Sequence, residues 1–497
     1  MTHDPGKSDR PVVPTKSPNK AGPTAAEAME GRGLAEGNTD QQNAPRTQSR
    51  IRAPSALERA RQAARKDRTA KFTALFHHLT LDRLRDAFLS LKRNAAAGID
   101  GVTWQQYEVD LEANLRVLHE ALHRGAYRAK PSRRAFIPKA DGRQRPLGIA
   151  ALEDKIVQRA VVEVLNAIYE VDFLGFSYGF RPGRHQHHAL DALATAIKRK
   201  RLNWWLDADL RDFFGTLDHG WLVKFIEHRI ADRRIIRVIQ KWLSAGVLQD
   251  GAWTAYERGA PQGATVSPLM SNLYLHYVLD LWVQQWRKRH ARGEVVIVRY
   301  ADDFLVGFEN RSDAERFLAE LRERIAKFSL ELHPDKTRLV EFGRAAAIRQ
   351  MRQGLGAPET FDFLGFTHIY AKSRNGGFWL RRQTMRKRLR AKLQEVRTEL
   401  QRRRHLPIPT QGRWLGAVVR GHCAYYGVPG NLDAMASFRT QVTRHWQRAL
   451  RRRGQRDRTN WRRMNRLAAR WLPPVRITHP WPDVRFDVTT RGRSPVR

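Results

Sequence analysis

The 497-residue sequence has little cysteine, few acidic side chains and no long apolar run. Its single thiol, Cys423, excludes an intramolecular disulfide and any zinc site built on cysteine pairs. No apolar stretch approaches the roughly 20 residues of a membrane span. The opening MTHDPGKSDRPVVPTK has no hydrophobic segment of the secretory kind. Glu27, Glu30, Glu36 and Asp40 argue against a transit peptide. Asp and Glu number 50 against 90 Lys and Arg, leaving a net charge of +40. A charge that large repels itself in a compact chain and points to a polyanionic partner. The expectation is a soluble cytoplasmic protein, nucleoid- or RNA-associated, with no membrane partner.

Hydrophobic residues make up 41% of the chain, with 14 Trp and 21 Phe, enough for two to four cores. Residues 1–55 are the exception. They are rich in Pro, Gly, Thr, Asn and Gln, and are expected to be disordered because they cannot bury enough surface to offset ordering. Gly6-Lys7-Ser8 there resembles the end of a phosphate loop, but the earlier glycine and a preceding strand are missing. Apolar spacing predicts helices at 55–67, 81–93, 104–122, 150–170, 189–200, 219–246, 268–290 and 312–328. Strands are predicted at 133–139, 143–147, 204–209, 295–298 and 304–308, with a late strand at 361–366. Ala140-Asp141-Gly142 reads as a hairpin turn. The irregular order of strands and helices is α+β. From residue 381 onward there are 30 Lys and Arg against 6 Asp and Glu, more than half the net charge in under a quarter of the chain. Helices are expected there at 383–404, 411–425 and 433–453, and Pro473-Pro474 opens an irregular tail.

The strongest chemical signal is Tyr300-Ala301-Asp302-Asp303, between two apolar strands. Adjacent aspartates usually mark a solvated turn. Here buried-type strands would hold the pair at a rigid hairpin tip, where two like charges are unfavourable unless a cation neutralises them. Magnesium takes oxygen ligands and is commonly held by one or two carboxylates plus substrate phosphates. A second acidic strand end follows Leu206-Asp207-Ala208-Asp209. One of its aspartates with the hairpin pair suits two ions roughly 4 Å apart. Spacing alone leaves Asp207 and Asp209 both open, since residues two apart share a strand face.

These residues resemble the catalytic signature of reverse transcriptases, and the surrounding text resembles the reverse transcriptase/maturase proteins of bacterial group II introns. The matching stretches run in the family's order over about 70–370. They are Ile137 to Ile149, Ser177-Tyr178-Gly179-Phe180-Arg181-Pro182-Gly183-Arg184, Asp209 to His219, Pro261 to Leu269, Leu332-His333-Pro334-Asp335-Lys336-Thr337, and Phe361 to Phe366.

The resemblance implies a right-hand polymerase with fingers and palm over 56–370, a helical thumb/maturase domain over 371–455 and a basic C-terminal tail over 456–497. It implies an RNA-directed DNA polymerase using two Mg2+ ions, with Asp209, Asp302 and Asp303 as metal ligands and the Leu210 carbonyl as a further one. Lys139 and Arg145 then clamp the incoming triphosphate. Phe213 and Phe214 lie at the nucleotide site, with Phe214 the aromatic gate against a ribose 2′-hydroxyl. Gln262 and Gly263 pack against the nascent base pair, and Lys336 protonates the pyrophosphate. Phe361 to Phe366 resembles the primer-grip strand. Intron RNA, a DNA primer or target and dNTPs are the implied partners, with Trp414 to Asn431 in the RNA-holding region. Gly215 stands where relatives commonly have Asp. His185, His187 and His188 cluster in a loop that resembles a family element without metal. A nuclease domain with cysteine pairs is not expected. A domesticated polymerase with a host role such as phage defence, and a non-catalytic splicing factor, are the competing readings.

Overall fold

The computed structural model describes residues 56–490 apart from 139–143, 251, 256–257, 260–262, 355–357, 374 and 455–458. The expected disordered segment 1–55, the Ala140-Asp141-Gly142 turn, Lys139 and Gln262 lie outside the described residues. The irregular order of strands and helices read from the sequence resolves, among the described residues, into three sheets within a mainly helical chain, an α+β fold.

Two compact units are formed. One comprises 56–364, 368–380 and the final helix Pro482–Thr490. Its core is organised on the helix Leu152–Asp172, in which Ile156, Val157, Ala160, Val161, Val164, Leu165 and Ile168 are all buried. A four-stranded sheet, order β6-β7-β3-β8, comprises β3 (Trp204–Ala208), β6 (Val295–Tyr300), β7 (Asp303–Phe308) and β8 (Arg338–Glu341). Neighbouring strands in it are antiparallel. β6 and β7 are buried on both faces, which explains their continuous apolar runs in place of alternation. A second sheet, order β2-β1-β4-β5, comprises the hairpin β1 (Ser132–Pro138) and β2 (Gln144–Ile149), then β4 (Val247–Gln249) and β5 (Ala252–Thr254).

The other unit holds Gly365–Thr367 and 381–481. Its helices Arg386–Arg402, Ile408–Tyr426, Leu432–Arg451 and Trp461–Trp471 close on Val396, Leu415, Val419, Met435, Phe438 and Trp446. The buried Trp446 indole donates to Gln411 Oε1 (2.8 Å). Tyr425 is buried, and Trp414 is half-buried beneath the Arg403 guanidinium, 5.0 Å from the ring centre. Arg462, Arg463, Arg466 and Arg470 are exposed on the last of these helices.

Several expectations are corrected. The helix over 104–122 breaks at Asp110 into Trp104–Val109 and Leu111–His123. The long helix over 268–290 contains a π turn at His276–Asp280. The late strand is two strands, β9 (Phe361–Phe363) and β10 (Phe366–Lys372), because Leu364 and Gly365 both take positive φ and turn the chain. β4, β5, β8 and β11 (Phe378–Thr384) are short or basic and carry little apolar signal. The tail after Pro473-Pro474 is not irregular throughout, since Pro482–Thr490 is helical. No described helix is long and apolar enough to cross a membrane.

Candidate active site

The two acidic strand ends meet at one end of the β6-β7-β3-β8 sheet. The register pairs Ala208 with Phe304, so Asp209 lies opposite Asp303, one step past the last ladder pair. Tyr300 pairs with Asp303, which makes Ala301-Asp302 a two-residue hairpin turn. Residues opposite each other on antiparallel strands have Cα atoms roughly 4.5–5.5 Å apart. Asp209 and Asp303 therefore start as direct neighbours, with Asp302 at the tip, and all three are half-buried.

Leu210 forms an isolated antiparallel bridge with Leu332, flanked by His333 N–H to the Asp209 carbonyl (2.7 Å) and Arg211 N–H to the Glu331 carbonyl (2.9 Å). That pattern turns the Leu210 carbonyl away from the Leu332 side, because consecutive strand residues present their backbone groups to opposite edges. The same loop sets the Lys336 ammonium on the Asp209 carboxylate as an ion pair. Asp207 faces Arg338, with Nε 3.6 Å from Oδ2. Burial pushes the Asp207 carboxyl up to about 7, Arg338 opposes this, and the charges of Asp303 and Asp209 add to it. The sheet end is thus dense in carboxylates that repel one another, a donor set of hard oxygens that suits a divalent cation. The side chains do not converge on one point: among the described residues no three His, Cys, Asp or Glu side chains are arranged around a common centre.

The sequence from 137 to 368 matches the reverse transcriptase (RNA-dependent DNA polymerase) family. The chain is 34% identical over 318 residues to protein YkfC of Escherichia coli (strain K12), covering 58% of this chain and 80% of that protein. It is 33% identical over 238 residues to the group II intron-encoded protein LtrA of Lactococcus lactis subsp. cremoris, covering 48% of this chain and 39% of LtrA. Nuclear intron maturase 3, mitochondrial, of Arabidopsis thaliana is 27% identical over 210 residues, 37% of this chain and 28% of that one. The chain belongs to the group II intron reverse transcriptase/maturase family. Its enzyme class is RNA-directed DNA polymerase, a family that works with divalent metal ions on nucleic-acid substrates.

The other expected site residues of this reverse transcriptase are spread over four elements. Arg145 is half-buried on β2, paired with Ile137. Gly263 takes φ 103°, and a Cβ there would lie 3.2 Å from the Gly148 carbonyl, so its own backbone rests against the strand that carries Arg145. Phe213 and Phe214 open a short helix, with rings edge to face 5.4 Å apart. Phe213 is 2% exposed and packs into the core beside Tyr274. Phe214 is half-buried. Its backbone is backed by Gly259 (φ 90°), where a Cβ would lie 2.7 Å from the Phe214 carbonyl. At Gly215 a Cβ would approach within 2.8 Å of Asp212 Cγ, so the Asp212 carboxylate fills the space a side chain would need.

Reading the sequence alone missed three supports. Nothing in the sequence pairs Lys336 with the Asp209 carboxylate, 127 positions away. Arg338 opens a four-residue strand whose apolar signal, Leu339 and Val340, is too short to declare it. Gly179 lies in a quoted motif, yet its contact with the hairpin is invisible in sequence: a Cβ there would sit 2.9 Å from the Tyr300 carbonyl carbon and 3.0 Å from Ala301 Cα. The His185 and His188 rings stack at 3.9 Å, and burial pushes His188 down to about 3.

Proposed function

We propose that this protein copies RNA into DNA by extending a DNA primer with dNTPs, and that it binds its group II intron RNA to assist splicing and mobility. Residues 56–370 act as fingers and palm, 371–455 as thumb/maturase domain, and 456–497 as a basic extension. Asp209, Asp302, Asp303 and the Leu210 carbonyl would hold two Mg2+ ions, which when bound make the primer 3′-hydroxyl a better nucleophile and brace the leaving pyrophosphate. Lys336 sits beside Asp209 and supplies a proton to that leaving group. Lys139 and Arg145 bind and orient the triphosphate, where positioned cations are worth most. Gln262 and Gly263 border the new base pair. Phe214 excludes a ribose 2′-hydroxyl. Phe361 to Phe366 holds the primer end. The exposed Arg462, Arg463, Arg466 and Arg470 suit a phosphate backbone.

The observation that carries this reading is the register that sets Asp209 opposite Asp303, one residue from Asp302. Primer extension on an RNA template by Asp302→Ala and Asp303→Ala tests it. Both variants should lose cDNA synthesis and keep RNA binding, and undiminished extension overturns the assignment. Absence of Mg2+-dependent dNTP incorporation by the unaltered protein would favour a non-catalytic splicing factor.

A further inference from the structure

Beneath the hairpin tip lies an ion pair that the proposed chemistry does not use directly. Arg299, on β6, and Asp280 are both completely buried. Arg299 Nε donates to Asp280 Oδ1 (2.7 Å) and Nη2 to Asp280 Oδ2 (2.6 Å). Nη2 also donates to Ser177 Oγ (2.7 Å), and Nη1 to Asn272 Oδ1 (3.0 Å) and the Ala301 carbonyl (2.9 Å). A guanidinium has five N–H donors in a planar fork, and here all five are used. Asn272 is oriented in turn, donating from Nδ2 to the Gly179 carbonyl (2.6 Å).

The helix that supplies Asn272 and Asp280 is shaped for this. In a straight α-helix, residues seven apart return to one face. Asn272 and Asp280 are eight apart, and the π turn His276–Asp280 contributes about the one extra residue needed to align them. The acceptor at the other end is unusual too. Ala301 takes φ 57°, a left-handed conformation that residues with a Cβ seldom adopt. A bond to its carbonyl sets the plane of the Ala301–Asp302 peptide, and that plane sets where the Asp302 and Asp303 side chains begin.

We infer that Arg299, braced by Asp280, is a positioning residue that fixes the Ala301-Asp302 turn and so presets the two carboxylates for divalent ions. The inference rests on the proposed metal role of Asp302 and Asp303. Lysine has three donors on a flexible stem and cannot serve Asp280, Ser177, Asn272 and Ala301 together.

The test compares Arg299→Lys, Ser177→Ala and the paired change Arg299→Met with Asp280→Leu in the full chain. The paired change removes both buried charges at once, so neither is left alone. Thermal melting and RNA binding report folding. Single-nucleotide extension across a Mg2+ titration reports positioning. Arg299→Lys and the paired variant should bind RNA normally, need about tenfold more Mg2+ for half-maximal rate and lose about 100-fold in maximal rate, as displacements near 1 Å do. Ser177→Ala, which removes one acceptor, should shift the Mg2+ requirement the same way by about threefold. A folded Arg299→Lys enzyme with an unchanged Mg2+ profile and rate overturns the inference. If Arg299→Lys and the paired variant do not fold, an unchanged profile for Ser177→Ala overturns it. Asp303→Asn runs alongside: full activity of that variant overturns the metal assignment instead.

Discussion

Gly179→Ala is the sharpest perturbation available near the site that touches no expected ligand. An alanine Cβ would lie 2.9 Å from the Tyr300 carbonyl carbon and 3.0 Å from Ala301 Cα, and closer still to the Ala301 nitrogen. Ordinary non-bonded carbon contacts are roughly 3.5–4.0 Å, so one side must retreat by about 1 Å. Neither side is a flexible side chain. The Gly179 segment is held by Asn272 Nδ2 on its carbonyl and by Tyr178 N–H on the Arg299 carbonyl (2.9 Å). The hairpin is held too, by Arg299 on the Ala301 carbonyl, so the retreat is shared and part of it falls on the Ala301-Asp302 turn. Displacing catalytic groups by 1 Å lowers rate by about 100-fold, and overpacking of this kind destabilises by roughly 1–3 kcal/mol. Single-turnover incorporation of one dNTP on an RNA template measures the first effect and thermal melting the second. A Gly179→Ala enzyme within threefold of the parent rate would refute the reasoning that the motif around Gly179 buttresses the hairpin.

Phe214→Ala should admit ribonucleotides, lowering the dNTP-over-rNTP preference about 10–200-fold with little change in dNTP rate, as read by competing incorporation. RNA affinity should fall steeply with salt, with a log–log slope of several units at roughly −0.7 to −0.9 per neutralised phosphate; a nearly flat curve would contradict extensive phosphate contact. Stability should fall as pH drops from 7 to 5. Burial holds His276 down at about 4 and His422 at about 3, from an ordinary 6.5. The unfolded chain therefore binds more protons below pH 6.5, and each site loses about 2 kcal/mol by pH 5. Asp154, which burial pushes up to about 6, and Asp207, pushed up to about 7, work in the opposite sense and offset about 1 and about 2 kcal/mol of this between pH 7 and 5, while His188, held down at about 3, adds about 2 kcal/mol to the loss. Melting at the two pH values checks the balance, and a rise at pH 5 would contradict it.

What the sequence made legible follows from where the signals are local. The runs at 295–298 and 304–308 around a two-residue turn declare a hairpin, because buried strands are apolar throughout and the turn is short. Asp209 was harder, since spacing could not separate it from Asp207. The fold separates them: Asp207 is inside the ladder, paired with Leu305 and facing Arg338, while Asp209 stands beyond the ladder end. Phe213 and Phe214 differ only in which side of a one-turn helix they occupy, and no periodicity exists over so few residues to tell core from site. The Arg299 network joins positions 177, 272, 280 and 299, and such pairings become visible only once the chain is folded. The π turn left no mark in the sequence because an apolar helix reads alike with or without one added residue.

The account depends on Asp209, Asp302 and Asp303 sharing divalent ions beneath a primer end. Anomalous diffraction from Mn2+ in a complex of the protein with a primed RNA template and a non-hydrolysable dNTP measures this directly. The prediction is two peaks roughly 4 Å apart, bridging Asp209 to the Asp302-Asp303 turn, with Lys336 displaced from the Asp209 carboxylate. Ions bound elsewhere, with Lys336 still paired to Asp209, would contradict it.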